Sequence, residues 1–251
     1  MVRRAGETDG NDMSVLAVIP ARGGSKGIPH KNLKEIAGKP LVAWMIEAAI
    51  AAPSVHMVAV STDDVDILAL ADDMNVYPVD RPKEISGDTA ASELAVIDAL
   101  MLRTPYRRVK ENYSTVLMLQ PTSPLTLPED IEGVLAALDA PAGTHTPLQF
   151  DSAFSVTPFD KFLWHDMGVD KGVVGINHEK TKPREMRQQR YGQFLENGAV
   201  YATRTGAFLK AKNRFCGYSN TYVMPKERSI EIDGMADWVM AEALLEQRVA
   251  V

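Results

Sequence analysis

Cysteine is nearly absent from this chain, which has Cys216 as its only one in 251 residues. An intrachain disulfide is therefore excluded, and no Cys/His spacing typical of a zinc site occurs. Apolar runs long enough to span a membrane are also missing. The polar residues 1–13 contain no apolar signal-peptide core, and we expect them to be a disordered extension. These absences predict a cytoplasmic protein that does not enter a membrane.

An excess of positive charge is missing as well. The formal net charge is −6 at pH 7, from 27 Lys and Arg against 33 Asp and Glu. This balance argues against a broad surface for nucleic acid. A local cluster of cations is therefore better explained by a small anionic ligand. The hydrophobic content of 45% and charged content of 24% are ordinary for a globular domain with a substantial core.

Apolar runs alternate with helical patterns over the first 140 residues. Strands are predicted at 15–19, 57–61, 76–79 and 115–119, and helices at about 40–52, 63–73, 88–102 and 128–138. In the third helix, Leu94, Ile97 and Met101 have the spacing of an apolar face. This alternation predicts an α/β fold with a Rossmann-like, mostly parallel sheet and helices on both faces. Ligands of such sheets bind beyond the carboxyl ends of the strands.

The alternation stops after residue 140. Strands are predicted at 152–156 and 199–202 and a helix at 236–248, but residues 159–190 are irregular and basic in their second half. We therefore expect one domain over residues 14–251, with an inserted segment at about 150–195.

A loop rich in glycine and cations follows the first predicted strand, over residues 21–32, and reads Ala-Arg-Gly-Gly-Ser-Lys-Gly-Ile-Pro-His-Lys-Asn. Glycine allows close approach to a phosphate, and consecutive N–H groups can bind an anion. Arg22, Lys26 and Lys31 would neutralise charge. The loop is neither a Walker A motif nor Gly-x-Gly-x-x-Gly. It predicts binding of a nucleoside triphosphate; the alternative is a glycine-rich turn with solvated lysines.

Two carboxylates near the C-terminus form a candidate metal site. Glu231 and Asp233 are two residues apart, so an extended backbone places both side chains on one face. Paired carboxylates suit Mg²⁺, which prefers oxygen ligands and bridges phosphates. Asp237 is a third candidate, with a cap of the C-terminal helix as its alternative role.

Five segments of the chain resemble one enzyme family, in that family's order. They are the glycine loop and residues 81–92, 119–125, 196–201 and 229–233, the last followed by Asp237 and Trp238. Together they are similar to the acylneuraminate cytidylyltransferases, or CMP-sialic acid synthetases. Those enzymes transfer CMP from CTP to the anomeric hydroxyl of a nine-carbon 2-keto-3-deoxy sugar acid and release pyrophosphate. The resemblance implies a single nucleotidyltransferase domain with CTP and a nonulosonic acid as ligands.

The resemblance also implies roles for individual residues. It places Arg22, Ser25 and Lys31 on the nucleotide phosphates, with Asn32 supporting the loop and Ala21, Gly23 and Gly24 also in the nucleotide site. It places Arg81, Ala90 and Ser92 around the cytidine. It places Gln120, Arg187, Asn197 and Tyr201 on the sugar acid, and Glu231 and Asp233 on Mg²⁺. Arg22, Lys31 and Asp233 are the implied catalytic residues.

Several alternatives to these roles stay open. Arg184 competes with Arg187 for the sugar's carboxylate, and Arg81 has a surface ion pair with Glu84 as its alternative. The family commonly has aspartate at both metal positions, so Glu231 has contact through water as its alternative.

The resemblance further implies that the inserted segment forms a homodimer and reaches toward the neighbouring subunit's site. An intramolecular lid is the alternative. Two other functions compete with the main one: a cytidylyltransferase for the eight-carbon acid 3-deoxy-manno-octulosonate, and a CTP-binding regulator without turnover.

Overall fold

Strands and helices alternate through the computed structural model, which describes residues 14–25, 27–101, 113–141, 149–183, 186 and 192–249. The strands are β1 (Val15–Pro20), β2 (Glu35–Ile36), β3 (Lys39–Pro40), β4 (Met57–Thr62), β5 (Tyr77–Asp80), β6 (Thr115–Leu119), β7 (Ser152–Pro158), β8 (Trp164–Asp166), β9 (Val173–Gly175), β10 (Phe194–Arg204) and β11 (Ser219–Val223). The helices are α1 (Leu41–Ala51), α2 (Val65–Asp73), α3 (Ser92–Met101), α4 (Pro128–Asp139), α5 (Thr205–Ala211) and α6 (Met235–Val249).

The main sheet contains seven strands in the order β11-β7-β10-β6-β1-β4-β5. β4 and β6 run parallel to β1, β5 runs parallel to β4, and β11 runs parallel to β7. β10 is antiparallel to both of its neighbours, β6 and β7. The predicted mostly parallel sheet is confirmed, with β10 as its exception. Because β10 is reversed, it begins at the edge where its neighbours end.

Helices cover both faces of this sheet, as predicted. Ala17 and Ile19 of β1 pack into a core with residues of α1, α2 and α4. The alternate residues Leu16 and Val18 pack into a second core with α3 and α5. Both faces of β1 are buried, which explains its uninterrupted apolar sequence.

A third apolar cluster joins the C-terminal helix to the start of the chain. Trp238 of α6 packs with Ile28, Trp44 and the buried Ile232. The Trp44 indole donates a hydrogen bond to the Ile36 carbonyl. This cluster fixes the segment before α6 beside the loop that follows β1.

The prediction for the third helix is wrong about the residue at which the helix begins and about which of its faces is buried. A turn occupies residues 87–90, closed by a hydrogen bond from Ala90 N to Gly87 O, and α3 begins only at Ser92. Leu94 and Met101 are exposed, and the buried residues of α3 include Val96 and Leu100. Its inward face is therefore set by its packing on β1, not by the spacing of its largest apolar residues.

The segment between β7 and β10 carries its own hairpin, formed by β8 and β9. We call the described part of residues 159–193 the arm. Asn177 holds it together by donating to Lys161 O and Gln193 Oε1, both at 2.9 Å, and by accepting from Leu163 N at 2.8 Å. Among the described residues, none of the helices has the length and hydrophobicity of a membrane span.

Candidate functional site

The glycine loop leaves β1 at the carboxyl edge of the sheet and is held from two sides. Asn32 Nδ2 donates to the Arg22 carbonyl at 2.9 Å, and the side chain of Asn32 is buried. Gly23 N donates to Asp63 Oδ1 at 3.0 Å, just after β4. A Cβ on Gly23 would lie 2.6 Å from Asp64 Oδ2, so only glycine fits this approach. The Asp63 carboxylate therefore occupies the place from which an anionic ligand could accept a hydrogen bond from Gly23 N–H.

Arg22 lies at this edge in an exposed ion pair. Its Nη1 is 2.6 Å from Asp88 Oδ1, with side-chain exposures of 34% and 47%. Exposed pairs contribute little free energy, about 0–1 kcal/mol. The guanidinium can therefore exchange Asp88 for another anion at small cost. Ala21 is buried at the start of the loop, and Gly24 and Ser25 follow at its tip.

Lys31 links the glycine loop to the acidic segment 201 residues further along the chain. Its Nζ donates to the Ile232 carbonyl at 2.6 Å, between the two predicted metal residues. Burial lowers the pKa of the Lys31 ammonium, although the charges of Asp233 and Glu231 oppose that shift. Gly27 also approaches this segment closely, since a Cβ there would lie 2.3 Å from Asp233 O. The structure therefore brings together the cations and carboxylates that the sequence singles out separately.

Glu231 is half-buried behind this contact. Its Oε1 accepts from Thr122 Oγ1 at 3.4 Å, and its carboxylate faces Gly198, where a Cβ would lie 2.5 Å from Oε2. Burial raises the pKa of the Glu231 carboxyl, and the negative charge of Asp233 raises it further. A cation between the two acids would relieve this repulsion.

The donor set suits Mg²⁺ better than a metal held entirely by protein. No group of three or more His, Cys, Asp or Glu side chains that could hold a metal ion occurs within the residues that the structure describes. Mg²⁺ often takes one or two carboxylates and completes its shell with water and phosphate. Asp237 instead caps the start of α6, because its Oδ2 accepts from Asp233 N at 3.1 Å and from Gly234 N at 2.9 Å. The alternative role of Asp237 is therefore the observed one.

Arg81 lies inside the protein at the end of β5. Its side chain is only 6% exposed, which excludes the alternative of a surface ion pair with Glu84. Nη2 donates to Ser61 O at 3.1 Å, and the buried Nε has no hydrogen-bond partner in the described part of the chain. Burial lowers the pKa of the Arg81 guanidinium. Ala90 and Ser92 are half-buried at the start of α3.

Of the residues predicted for the sugar acid, Gln120 follows β6, and Asn197 and Tyr201 lie within β10. Gln120 N donates to Ala199 O at 3.0 Å and its side chain is half-buried. Asn197 is buried, accepting from Ser155 Oγ at 2.6 Å and donating to Ser229 Oγ at 3.0 Å. Its amide thus supports the local fold, and its contact with substrate stays a prediction. Lys26, Arg184 and Arg187 lie outside the described residues.

The Tyr201 ring is buried among other side chains, and its hydroxyl makes a hydrogen bond. The hydroxyl donates to Glu196 Oε1, and the Arg214 guanidinium lies 4.7 Å from the ring centroid. Phe154 and Phe215 pack on the same ring. Burial raises the pKa of the Tyr201 hydroxyl, and Glu196 adds to that shift.

Glu196, Asp63 and Arg214 also belong to this region, although they were not among the residues predicted from the sequence. Glu196 lies in a segment that carries the resemblance, so the sequence offered a reason to include it in the site. Asp63 directly follows a strand at the binding edge, which is weaker evidence for a place in the site. Arg214 comes from a loop after α5, and its sequence neighbourhood gives no signal.

A Rossmann-like α/β sheet with cations and carboxylates at its carboxyl edge defines a nucleotide-binding protein. The sequence model of the cytidylyltransferase family matches residues 16–210. The chain belongs to this family.

Individual relatives agree with this assignment. The chain is 32% identical to N-acylneuraminate cytidylyltransferase A of Danio rerio, over 91% of this chain and 50% of that protein. It is 29% identical to CMP-N,N'-diacetyllegionaminic acid synthase of Legionella pneumophila, over 93% of this chain and 97% of that protein. The chain spans about half the length of several curated relatives that it matches.

A solved structure shares the fold. It is a CMP:2-keto-3-deoxy-manno-octonic acid synthetase complexed with CTP, with a TM-score of 0.64 and 17% identity. The match covers 94% of this chain and 99% of that one. At this identity the likeness concerns the fold alone.

Proposed function

We propose that this protein transfers CMP from CTP to the anomeric hydroxyl of a nine-carbon 2-keto-3-deoxy sugar acid and releases pyrophosphate. The names of its relatives support this class of acceptor: N-acylneuraminate, N,N'-diacetyllegionaminic acid and pseudaminic acid. Their identities to this chain lie between 28% and 32%, so the proposal is made for the class and not for one acid.

The contact of Lys31 with the Ile232 carbonyl is the observation that carries the proposal. It places an ammonium beside Glu231 and Asp233 at the end of a loop whose donors can exchange their partners. In phosphoryl transfer the protein mainly positions the reactants and stabilises charge on the phosphates. A cation-lined loop opposite two carboxylates supplies both requirements for a triphosphate.

Binding of the triphosphate would exchange contacts within the glycine loop. Arg22 would leave Asp88 for a phosphate oxygen, and Gly23 N would leave the Asp63 carboxylate. Both contacts are made to carboxylates, so each anion replaces another anion and no buried donor is left unpaired. Ser25 and Asn32 would complete the loop around the phosphates.

We also propose a role for Mg²⁺ at Glu231 and Asp233. When bound there, the ion would neutralise the triphosphate and the departing pyrophosphate. The chain's own part is to hold the two acids together, through Thr122 on Glu231 and the third apolar cluster around Ile232.

The nucleoside and the acceptor would bind on either side of the phosphates. Arg81 is proposed for the cytidine side together with Ala90 and Ser92, and its buried Nε has no hydrogen-bond partner among the described residues. Buried donors that lack a partner discriminate strongly for a ligand that pairs with them. Gln120, Asn197 and Arg187 are proposed for the acceptor side, as is Tyr201, whose buried hydroxyl donates to Glu196 and would act there through that residue.

The arm is proposed as the contact of a homodimer. Leu163, Trp164, Val169 and Ile176 are exposed on it, and exposed apolar clusters of this kind mark interfaces. A pocket of about 480 Å³ is lined by Phe162, Trp164, His178, Glu179, Lys180, Lys182 and Pro183. Within the arm, Lys182 forms an ion pair with Glu179 at 2.6 Å and Lys180 donates to Val173 O at 3.0 Å. Two-fold dimers are the commonest oligomers.

A cytoplasmic location is part of the proposal. Cys216, the single cysteine, is a buried free thiol, which fits a reducing compartment. Cell fractionation that recovers the protein from the cytoplasm would agree, and recovery from an oxidising compartment would not.

Pyrophosphate release from CTP tests the proposed reaction, with a panel of nine-carbon keto acids, the eight-carbon acid and a sugar 1-phosphate. We expect release only with a nine-carbon acid and Mg²⁺. Preference for the eight-carbon acid would favour a 3-deoxy-manno-octulosonate enzyme. Equal turnover of the sugar 1-phosphate would indicate a sugar-phosphate pyrophosphorylase. CTP binding without turnover of any acceptor would indicate the non-catalytic regulator.

A further inference from the structure

Four side chains connect α3 to the first half of β10 through consecutive contacts. Glu93 Oε1 accepts from Arg214 Nε at 2.7 Å, and the Arg214 guanidinium lies over the Tyr201 ring. The Tyr201 hydroxyl donates to Glu196 Oε1. We call these residues the Glu93–Glu196 chain. They come from separate parts of the sequence, so only the fold brings them together.

The inner end of this chain is rigid because its ion pair is largely buried. Side-chain exposures are 14% for Glu93 and 16% for Arg214. Burial raises the pKa of the Glu93 carboxyl, but the hydrogen bonds and charge of Arg214 outweigh it and the net shift is downward. Removing either partner would leave a buried charge unpaired, which is costly. The pair thus differs from the exposed Arg22–Asp88 pair at the glycine loop.

Arg214 in turn fixes the orientation of Tyr201. The guanidinium lies on the ring face, while Phe154 and Phe215 pack on the ring from other sides. Tyr201 is 2% exposed, so its ring is enclosed by these contacts. Its hydroxyl therefore points at one place, and the group found there is the Glu196 carboxylate.

Glu196 is the outer end and, unlike the other members, it is exposed. The pairing register of β10 with β7 shifts between Glu196 and Tyr201, and such irregularities often re-aim side chains next to active sites. Gly198, two residues further along β10, lies against the Glu231 carboxylate, where a Cβ would be 2.5 Å from Oε2, so this part of β10 borders the proposed metal pair. An ordered carboxylate thus faces solvent beside the proposed site.

We propose that Glu196 binds the sugar acid at a hydroxyl or amide N–H remote from its carboxylate, and that Tyr201, Arg214 and Glu93 are positioning residues for Glu196. This inference rests on the proposed function. An ionised carboxylate only accepts hydrogen bonds, so its partner must be a donor. It repels the carboxylate of the substrate, so the acid must bind with its charged end turned away. Glu196 would therefore select the orientation of the acceptor as well as its substituents.

Steady-state kinetics separate this role from a merely structural one. Tyr201→Phe removes the hydroxyl and keeps the ring, and Glu196→Ala removes the carboxylate. We expect each to raise KM for the sugar acid about tenfold, the effect of losing one hydrogen bond to a charged group. KM for CTP and the Mg²⁺ requirement should change less than about twofold.

Arg214→Lys tests the inner end, with Arg204→Lys as its matched control. Arg204 also binds a carboxylate, Asp139 Oδ1 at 2.5 Å, but lies at the far end of β10 beside Thr115, where β6 begins. Arg214→Lys should raise KM for the sugar acid, and Arg204→Lys should leave it unchanged. In the double variant Tyr201→Phe/Glu196→Ala, KM for the sugar acid should rise no further than in the single variant with the larger effect. Both substitutions remove the same contact, so their effects should not add.

The possible outcomes are distinct. A wild-type protein that turns over no keto acid overturns the proposed function itself. An active wild-type protein with an unchanged KM for the acid in Tyr201→Phe overturns the positioning role. A raised Mg²⁺ requirement in Glu196→Ala would make Glu196 part of the metal site and overturn its role with the sugar. An acceptor analogue that lacks the recognised donor should bind wild-type protein and Glu196→Ala equally.

Discussion

The contacts of Lys31 show how single residues bring the two ends of the sequence into one site. One ammonium joins the glycine loop to the Ile232 carbonyl, and the acids on either side of Ile232 oppose the loss of its proton. Sequence reasoning could select Lys31, Glu231 and Asp233 by type and spacing. Type and spacing alone do not show that they meet, although the resemblance implies one CTP site; the Lys31–Ile232 contact itself depends on how α6 packs on α1.

Asp233→Asn removes one negative charge from the proposed metal site without a change in volume. We expect kcat to fall about 10²-fold or more, as for a lost electrostatic contact in the transition state. Asp233 is exposed, so the melting temperature of the variant should equal that of the wild type. Asp73→Asn, at the exposed end of α2, is the control and should be neutral in both assays. Near-normal rates at limiting Mg²⁺ would remove Asp233 from the metal site.

Glu93 should make stability depend on pH in a defined direction. Its pKa in the folded protein lies below the ordinary value of 4.5, so its contribution is full above that value and is lost as pH falls through the folded pKa. Urea unfolding of wild type and Glu93→Gln at pH 7, 4 and 3 should give a stability difference that narrows with acid. A constant difference would mean that the pair with Arg214 does not hold the carboxylate ionised.

At the scale of elements, the glycine loop and the segment before α6 approach so closely that an added methyl group at Gly27 would not fit between them. Gly27→Ala would place a Cβ 2.3 Å from the backbone carbonyl of Asp233 and force the two segments apart. A displacement of about 1 Å at a reacting centre can cost about 10²-fold in rate, so kcat/KM should fall on that order. Gly206→Ala has open space around it and serves as the control. Equal activity of both variants would show that this close approach is not needed.

Two substitutions in α3 test which face of this helix packs on the core and stabilises it. Leu100→Ala should lower the free energy of unfolding by about 2–5 kcal/mol, because the leucine is enclosed in the core. Met101→Ala, at a residue 54% exposed, should change it by about 0.5 kcal/mol or less. Chemical denaturation of both variants decides between the observed face and the one predicted from Leu94, Ile97 and Met101.

The elements differ in how far the sequence predicts them. β1 and β6 have apolar runs buried on both faces, so their positions follow from the sequence almost to the residue. The reversal of β10 does not, because an apolar run packs equally well in either direction. The contact between Glu196 and Tyr201 is also beyond prediction, since a strand of regular register would hold residues five apart on opposite faces.

At the scale of the whole molecule, the proposed dimer predicts both a mass and a sharing of sites. Light scattering at micromolar concentration should give twice the mass of the chain. Mixing two inactive variants, Asp233→Asn and Arg187→Ala, should restore part of the activity if one site takes residues from both chains. A fully active monomer would favour the arm as an intramolecular lid. A dimer without recovery would leave Arg187 acting in its own subunit.

The ends of the arm are already joined by the sheet, which has a consequence for recombination. Phe194 pairs with Pro158, and Phe159 N donates to Gln193 O at 3.0 Å, so the arm is a long loop closed at its base by a ladder. The entropy of closing a loop grows only with the logarithm of its length. Arms of other lengths could therefore be exchanged between relatives at this base with little effect on the core. Gene duplication followed by exchange of this one segment would vary the arm while β6, β10 and the glycine loop stay the same.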